Sequence, residues 1–465
     1  VRLYGGVPMI LKAQDPFTED LNVPRSKTSE SIDKIVADLD KAIEYLPVDW
    51  PVAEDNGRIT GGAAAAFKGR VLLTWASPLF NRNNDQARWQ RAYDANKQAM
   101  DILAKMRVPR NLHPDFKSIF TSDILTNVES VIFKRFSSSA GIAYTTGWEK
   151  SIRPPSSEGN GGFNPTWELV KAFPMANGKL ISEQGSGYDS VVYWKNRDPR
   201  FYATIVYNGA EWDLNGRAED TQWTFRNVNE SNRVPSTGFY CRKACDPLIA
   251  PENTGQTSTS WHELRYAEVL LNFAECANEL GKTAEALENV RKIRARAGIE
   301  PGSGEYGISN SVSKERLREI IMVERQVEFA FENKRYWDMR RRLMFREDLG
   351  IWNKRLNGTQ RHGYTITVRS PWGNKITDTA SPYYNWMRID TAHFKGHLNI
   401  NDPASFNNYY TVRIKNMDLY NGLNQNINYL NLYDFFGISA SLIQKSPAVE
   451  QTLGWINGTF DPLSQ

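Results

Sequence analysis

The amino-acid sequence predicts a mostly α-helical protein, a scaffold of paired helices with a second, loop-rich face that carries short β-strands. Three observations predict it. Between Trp261 and Arg342 apolar residues recur at helical spacing in three consecutive segments, none of which can bury its own stripe. Similar stripes run from Ile32 to Leu103. Between these blocks, and again after Arg342, helical periodicity gives way to short apolar runs separated by Gly, Ser, Asn and Pro clusters.

The first C-terminal segment carries Tyr266, Val269, Leu270, Phe273, Ala274, Ala277 and Leu280 on one helical face, and Gly281 ends it. The second, Thr283 to Ala297, opens on an expected N-cap threonine, presents Ala286, Leu287, Val290 and Ile293, and closes at Gly298. Together they have the size of a tetratricopeptide unit, a two-helix repeat of about 34 residues that needs neighbours to complete its core. A third helix is expected from Lys314 to about Arg342, with Ile320, Val323, Val327, Ala330 and Phe331 inward.

The N-terminal block should supply those neighbours. Ile32, Ile35, Val36, Leu39, Ile43 and Leu46 form one stripe, capped at Ser29 and stopped by Pro47. Thr60 caps an Ala-rich helix from Gly62 to Ala76 whose small side chains admit a close neighbour, and Trp89, Ala92, Tyr93, Asn96, Met100 and Leu103 mark the next. Trp75 and Trp89 fall on these stripes and are expected in the core. Ser130 to Phe136, Arg200 to Tyr207, Tyr364 to Val368 and Tyr410 to Ile414 read as strands. Four regions result: scaffold over 1–107, a variable ligand-binding region over 108–260, scaffold again over 261–345, and a loop-rich region packing on it over 346–465.

Composition narrows the function. Hydrophobic residues at 40% and charged residues at 24% describe a globular protein, and the formal charge of +4 arises from mixed signs rather than a basic block, which argues against nucleic acid. No run of eighteen apolar residues is present to span a bilayer. Cys241, Cys245 and Cys276 are too few for a disulfide framework and read as structural thiols or one incidental bridge. His393 and His397 share a spacing open to metal, but Gly396 weakens any helix there and no metal site is expected. Glu324, Glu328 and Glu332 recur every four residues, a pattern open to a glycosidase reading; with Arg325, Lys334 and Arg335 as counter-charges, structural ion pairs are expected instead. Aromatic residues at 12%, with 14 Trp and 20 Tyr, exceed what a core asks for and suggest a surface on which flat rings stack against sugar faces.

Three motifs carry a family resemblance: Arg265-Tyr266-Ala267-Glu268-Val269-Leu270-Leu271-Asn272-Phe273-Ala274-Glu275, then Val290 through Gly298, then Glu324 through Glu332 with Arg335-Tyr336-Trp337-Asp338. In this order they closely resemble the SusD/RagB family of nutrient-binding lipoproteins on the outer face of the outer membrane in Bacteroidota. Gly57-Arg58-Ile59-Thr60-Gly61-Gly62 and the closing segment from Asn431 to Trp455 fit as well, although Phe435-Phe436-Gly437-Ile438 stands where a proline is common. Val1 to Pro8 resembles a motif that lies inside such chains, so a leader, a lipid-bearing cysteine and the first repeat helices are expected upstream of this chain.

The resemblance implies a SusD-like fold, binding of an oligosaccharide or polysaccharide without cleavage or cofactor, a SusC-like TonB-dependent transporter as partner, and surface exposure through an N-terminal lipid anchor. Mid-chain aromatics are the expected platforms. Tyr188 and Trp212 lead, both in Gly/Asp/Asn-rich turns, followed by Trp148, Trp223 and Trp194, with Asp189, Asn208, Asp213, Arg153 and Asn164 as polar partners for vicinal hydroxyls. Trp212 has a competing reading as a plug at a loop base, and for Trp194, next to the family-like Arg197-Asp198-Pro199-Arg200-Phe201, a structural role is the favoured reading. Two other classes stay open: a helical-repeat adaptor for peptides, and a helical glycoside hydrolase.

Overall fold

The structure is a computed structural model that describes residues 1–138, 144–217, 220–225, 234–346, 356–369 and 398–465, together with Ala380. It is mostly helical with small sheets, as the stripes predict. The N-terminal scaffold is α1 (Thr28–Tyr45), α2 (Gly61–Ala76) and α3 (Gln86–Leu103). Helix α1 starts two residues earlier than expected, because Lys27 rather than Ser29 holds the cap position and Glu30 reaches back to its N–H at 3.1 Å. Thr60 caps α2 by accepting from the Ala63 N–H. Trp75 and Trp89 are both in the core.

The middle of the chain contributes β1 (Ser130–Lys134), α4 (Trp148–Ile152), α5 (Trp167–Ala172), α6 (Pro199–Thr204), β2 (Ile205–Val206), β3 (Ala210–Glu211), β4 (Thr221–Gln222), β5 (Tyr240–Cys241) and β6 (Trp261–Arg265). The strand expected from Arg200 is mostly helix, since Asp198 accepts from the Arg200 N–H and Pro199 occupies the first turn, leaving only Ile205–Val206 extended. Next come α7 (Tyr266–Glu279), α8 (Thr283–Ala297), α9 (Lys314–Glu328) and α10 (Arg335–Arg341), then β7 (His362–Val368), α11 (Pro403–Tyr409), β8 (Tyr410–Asn416), β9 (Leu419–Tyr420), β10 (Leu423–Asn424) and α12 (Ala440–Lys445). Lys282, not Thr283, is the α8 N-cap. The single third helix expected from Lys314 is two, because Phe331 and Asn333 take left-handed backbone between α9 and α10. Among the described residues the strands pair antiparallel as β1 with β6, β2 with β5, β3 with β4, β7 with β8 and β9 with β10.

Two large cores show how the regions combine. One joins Ile32, Leu72, Trp75, Trp89 and Ala92 to Leu270, Phe273, Val290, Ile321 and Phe435, so both helical blocks bury their stripes against each other. The other is built of rings from distant segments, Trp167, Tyr193, Trp194, Phe201, Trp223 and Phe239 with Phe406 and Tyr410.

A buried charge lattice ties the two halves. Arg265 pairs with Glu129, with Glu328 at 2.6 Å and with Glu332 at 2.8 Å; Arg200 pairs with Asp198, Glu324 and Glu328; Arg294 pairs with Glu324, Arg296 with Glu129 and Glu328, and Lys243 with Glu332 at 2.6 Å. The three glutamates of α9 and its end are therefore structural, as expected, but their partners are remote in sequence. Arg325 turns instead to Asp338 at 2.9 Å.

Candidate functional site

The chain between β3 and α7 folds back over the segment that follows α3 and encloses a cleft of about 640 Å³. One wall is the turn from Asp115 to Thr121, where Asp115 accepts from the Lys117 N–H and so points Phe116 inward and Lys117 out. The opposite wall is the loop from Arg242 to Leu248. Strand alternation forms the end: along β3 and just past it, Glu211 and Asp213 are exposed while Trp212 between them turns into the body.

Helix α4 sets the loop wall. The Trp148 indole N–H donates to the Lys243 carbonyl at 3.1 Å, and Glu149 accepts from the Asp246 N–H at 2.6 Å and from the Cys245 thiol at 3.2 Å. Arg153 binds Glu149 at 2.7 Å and donates to the carbonyls of Ile249 and Asp246. On the scaffold side Lys243 donates to Glu332 at 2.6 Å and to the Glu328 carbonyl at 2.7 Å; burial lowers the affinity of this ammonium for its proton, against the pull of Glu332. Arg242 lies 5.6 Å from the Trp212 ring centre and donates to the Glu211 carbonyl, and burial brings its guanidinium down to about 10. Beside the cleft, Trp148 packs on Phe163 with centroids 5.0 Å apart and on Trp261 at 5.6 Å. Phe163 is 55% exposed and holds a left-handed φ of 53°, a strained backbone for an aromatic residue. Asn164 supports it by donating to the Gly161 carbonyl at 2.8 Å while accepting from Ser236.

The expected site residues do not converge as a set. Trp212 and Asp213 line the cleft, and Trp148 stands behind its loop wall. Burial corrects three expectations, Trp223, Asn208 and Arg153, and agrees with the structural reading of Trp194. Trp194 is 1% exposed, stacked on Tyr207 at 4.9 Å with its N–H on Asn401. Trp223 lies in the same aromatic core, Asn208 is buried and accepts from the Thr224 N–H, and Arg153 is shut behind the loop wall. Trp212 lines the cleft but is only 4% exposed, so it is no open platform. Tyr188 and Asp189 sit elsewhere: Tyr188 packs half-buried on the aromatic core, and Asp189 accepts from the Val191 N–H at 2.7 Å. Asn164 commits its amide to the Gly161 carbonyl on one side and to Ser236 on the other.

What was missed in the sequence is the Asp115 to Thr121 turn, Arg242, and the rings Phe163 and Trp261. Only the Asp-Phe-Lys-Ser turn at 115–118 carries a local signal, and that signal reports a turn, not a wall. Among the described residues no three His, Cys, Asp or Glu side chains are grouped to hold a metal ion, and His393 and His397 lie outside those residues. All three cysteines are free thiols.

Helical pairs bearing a loop-built cleft place the chain among helical-repeat scaffolds. The sequence model of the SusD family matches residues 129–455, and the chain belongs to that family. It is 28% identical to SusD-like protein P2 of Formosa agariphila over 358 residues, covering 75% of this chain and 63% of that protein, so the chain spans under two thirds of that relative's length. In fold it is similar to a SusD-like protein of Bacteroides fragilis NCTC 9343, at 24% identity and a TM-score of 0.69, covering 98% of this chain and 76% of that one. A SusD-like carbohydrate binding protein of the same strain aligns at 22% identity and a TM-score of 0.60, covering 83% of this chain and 70% of that one.

Proposed function

We propose that the protein binds an oligosaccharide or polysaccharide at the cell surface and passes it to a TonB-dependent, SusC-like outer-membrane transporter without cleaving it. Family membership supports the reading, and so does the likeness in fold to the SusD-like carbohydrate binding protein of Bacteroides fragilis. The observation that carries it is the cleft itself. Its lining sets the exposed carboxylates of Glu211 and Asp213 and the amine of Lys117 beside the apolar side chains of Phe116, Phe120 and Trp212, a mix of hydrogen-bonding partners for hydroxyls and apolar surface for the sugar ring. Glu324, Glu328 and Glu332 are buried within ion pairs, which argues against a catalytic role for that four-residue spacing. No helix among the described residues is long and apolar enough to cross a membrane.

Native gels cast with starch, xylan, mannan, laminarin, pectin or ulvan test the reading. At least one polymer is expected to retard the protein, and Asp213→Ala, a change on the exposed rim, is expected to weaken that retardation. Full mobility in all six, or release of reducing ends from the retarding polymer, refutes it.

A further inference from the structure

We infer that the binding surface continues past the cleft to a second platform made by Phe136 and Tyr144, so that the ligand is an extended chain gripped at internal units. This rests on the glycan reading above. Phe120, Thr121 and Asp246 line the large cleft and also a second hollow of about 220 Å³, whose far side is Arg135, Phe136 and Ser258 to Ser260. The two hollows are therefore neighbours along one groove.

The rings at the far end are arranged for stacking. Phe136 and Tyr144 lie nearly parallel, 12° apart in plane with centroids 5.2 Å apart. Lys134 places its ammonium 5.2 Å from the first ring and 5.0 Å from the second. Three nearly equal separations put the ammonium beside the pair rather than on its stacking axis, so it covers neither outer face. Tyr144 is 52% exposed, a large fraction for a ring already packed against another. Its backbone is fixed by a reciprocal pair of 2.8 Å hydrogen bonds with Ser137, and the Phe136 N–H donates to the Ser260 hydroxyl at 3.3 Å. A ring held rigidly at the surface, with a cation at its edge and a groove leading to it, suits the flat face of a neutral pyranose flanked by hydroxyls.

The test uses the polysaccharide that retards the protein, cut into oligosaccharides of two to eight units and titrated by calorimetry. Affinity should rise with length until the chain spans both platforms. Tyr144→Ala should lower affinity for the longest oligomers by about 3- to 10-fold, the worth of one aromatic contact, and leave the shortest binder unchanged. Tyr144→Trp should restore the long-chain affinity, whereas Asp213→Ala should weaken short and long alike. Equal losses at every length with Tyr144→Ala, or none at any length, overturn the second platform while the cleft stands. Retardation by no polymer overturns the glycan reading and this inference with it.

Discussion

Replacing Glu275 by Gln tests whether the scaffold is held by buried charge as well as by apolar stripes. Glu275 projects from α7 and receives both arms of Arg341 in α10, at 2.6 and 2.7 Å, with Arg342 at 3.5 Å; Arg341 in turn reaches Asp338 at 2.8 Å and the Ser77 hydroxyl at the end of α2 at 2.9 Å. Burial by itself would raise this carboxyl, but the two guanidinium groups and their hydrogen bonds outweigh it and bring it from 4.5 down to about 2. A carboxylate that titrates so much lower in the fold than in the unfolded chain contributes about 3 kcal/mol of stability at neutral pH. Because the folded value is the depressed one, that contribution is complete above pH 4.5, shrinks as pH falls, and is gone near pH 2.

The neutral amide keeps the shape of the side chain and removes the charge. Urea unfolding followed by tryptophan fluorescence at pH 7, 4.5, 3.5 and 2.5 should show Glu275→Gln less stable by about 3 kcal/mol at pH 7, with the gap to the wild type closing across the acid range. Every other carboxylate is common to both proteins, so the difference between them isolates this one. A gap that stays constant with pH, or one below about 0.5 kcal/mol at pH 7, the level of an exposed pair, would refute the assignment of Glu275 to a stabilising clasp.

Two further outcomes probe the frame. Lys243→Met leaves Glu332 short of a cation in a buried site and should cost about 3–5 kcal/mol in urea unfolding; Lys243→Arg should recover part of the loss. Gly69→Ala should destabilise by about 1–3 kcal/mol even though alanine is the better helix former, because the new methyl group would stand 2.7 Å from the Asn96 amide carbon on α3. That amide cannot swing away freely, since it is buried and bonded to the Ala92 carbonyl at 2.8 Å. A stabilised Gly69→Ala protein would show that α2 and α3 do not meet this closely.

The scaffold was legible from the chain because helical burial is written locally: Trp75 and Trp89 lie in the core for the same spacing that placed them on stripes. Where a local rule met a remote partner, legibility stopped. The helix expected to run through to Arg342 breaks at Phe331 and Asn333, which take left-handed backbone so that Arg335–Arg341 can turn away and deliver Arg341 to Glu275. The ion pairs of Glu324, Glu328 and Glu332 were expected, yet with neighbouring cations; their partners come from Arg200, Lys243, Arg265, Arg294 and Arg296. Turn-rich surroundings suggested open rings at Tyr188 and Trp212, yet Trp212 is buried and Tyr188 half-buried. Composition of that kind reports the path of the backbone and says nothing of what later covers it: Trp194 is sealed by Phe406 and Asn401, about two hundred residues further on. The same long reach hides the cleft, whose walls at 115–121 and 242–248 share no sequence signal.

Loops ordinarily cost a binding protein affinity, since ordering them on contact consumes part of the interaction energy. Here the wall from Arg242 to Leu248 is ordered before any ligand arrives, and from two sides. Glu149 and Arg153 of the α4 turn grip its backbone from outside, while Lys243 anchors it inward to Glu332 and to the Glu328 carbonyl at the end of α9. The anchor belongs to the same charge lattice that joins α7, α8 and α9 through Arg265, Arg296 and Glu328. Rigidity made by packed helices is thus carried through buried ion pairs to the surface. The lattice reaches the cleft lining as well, since the Lys243 ammonium lies 5.0 Å from the Phe116 ring centre and 5.4 Å from that of Phe120.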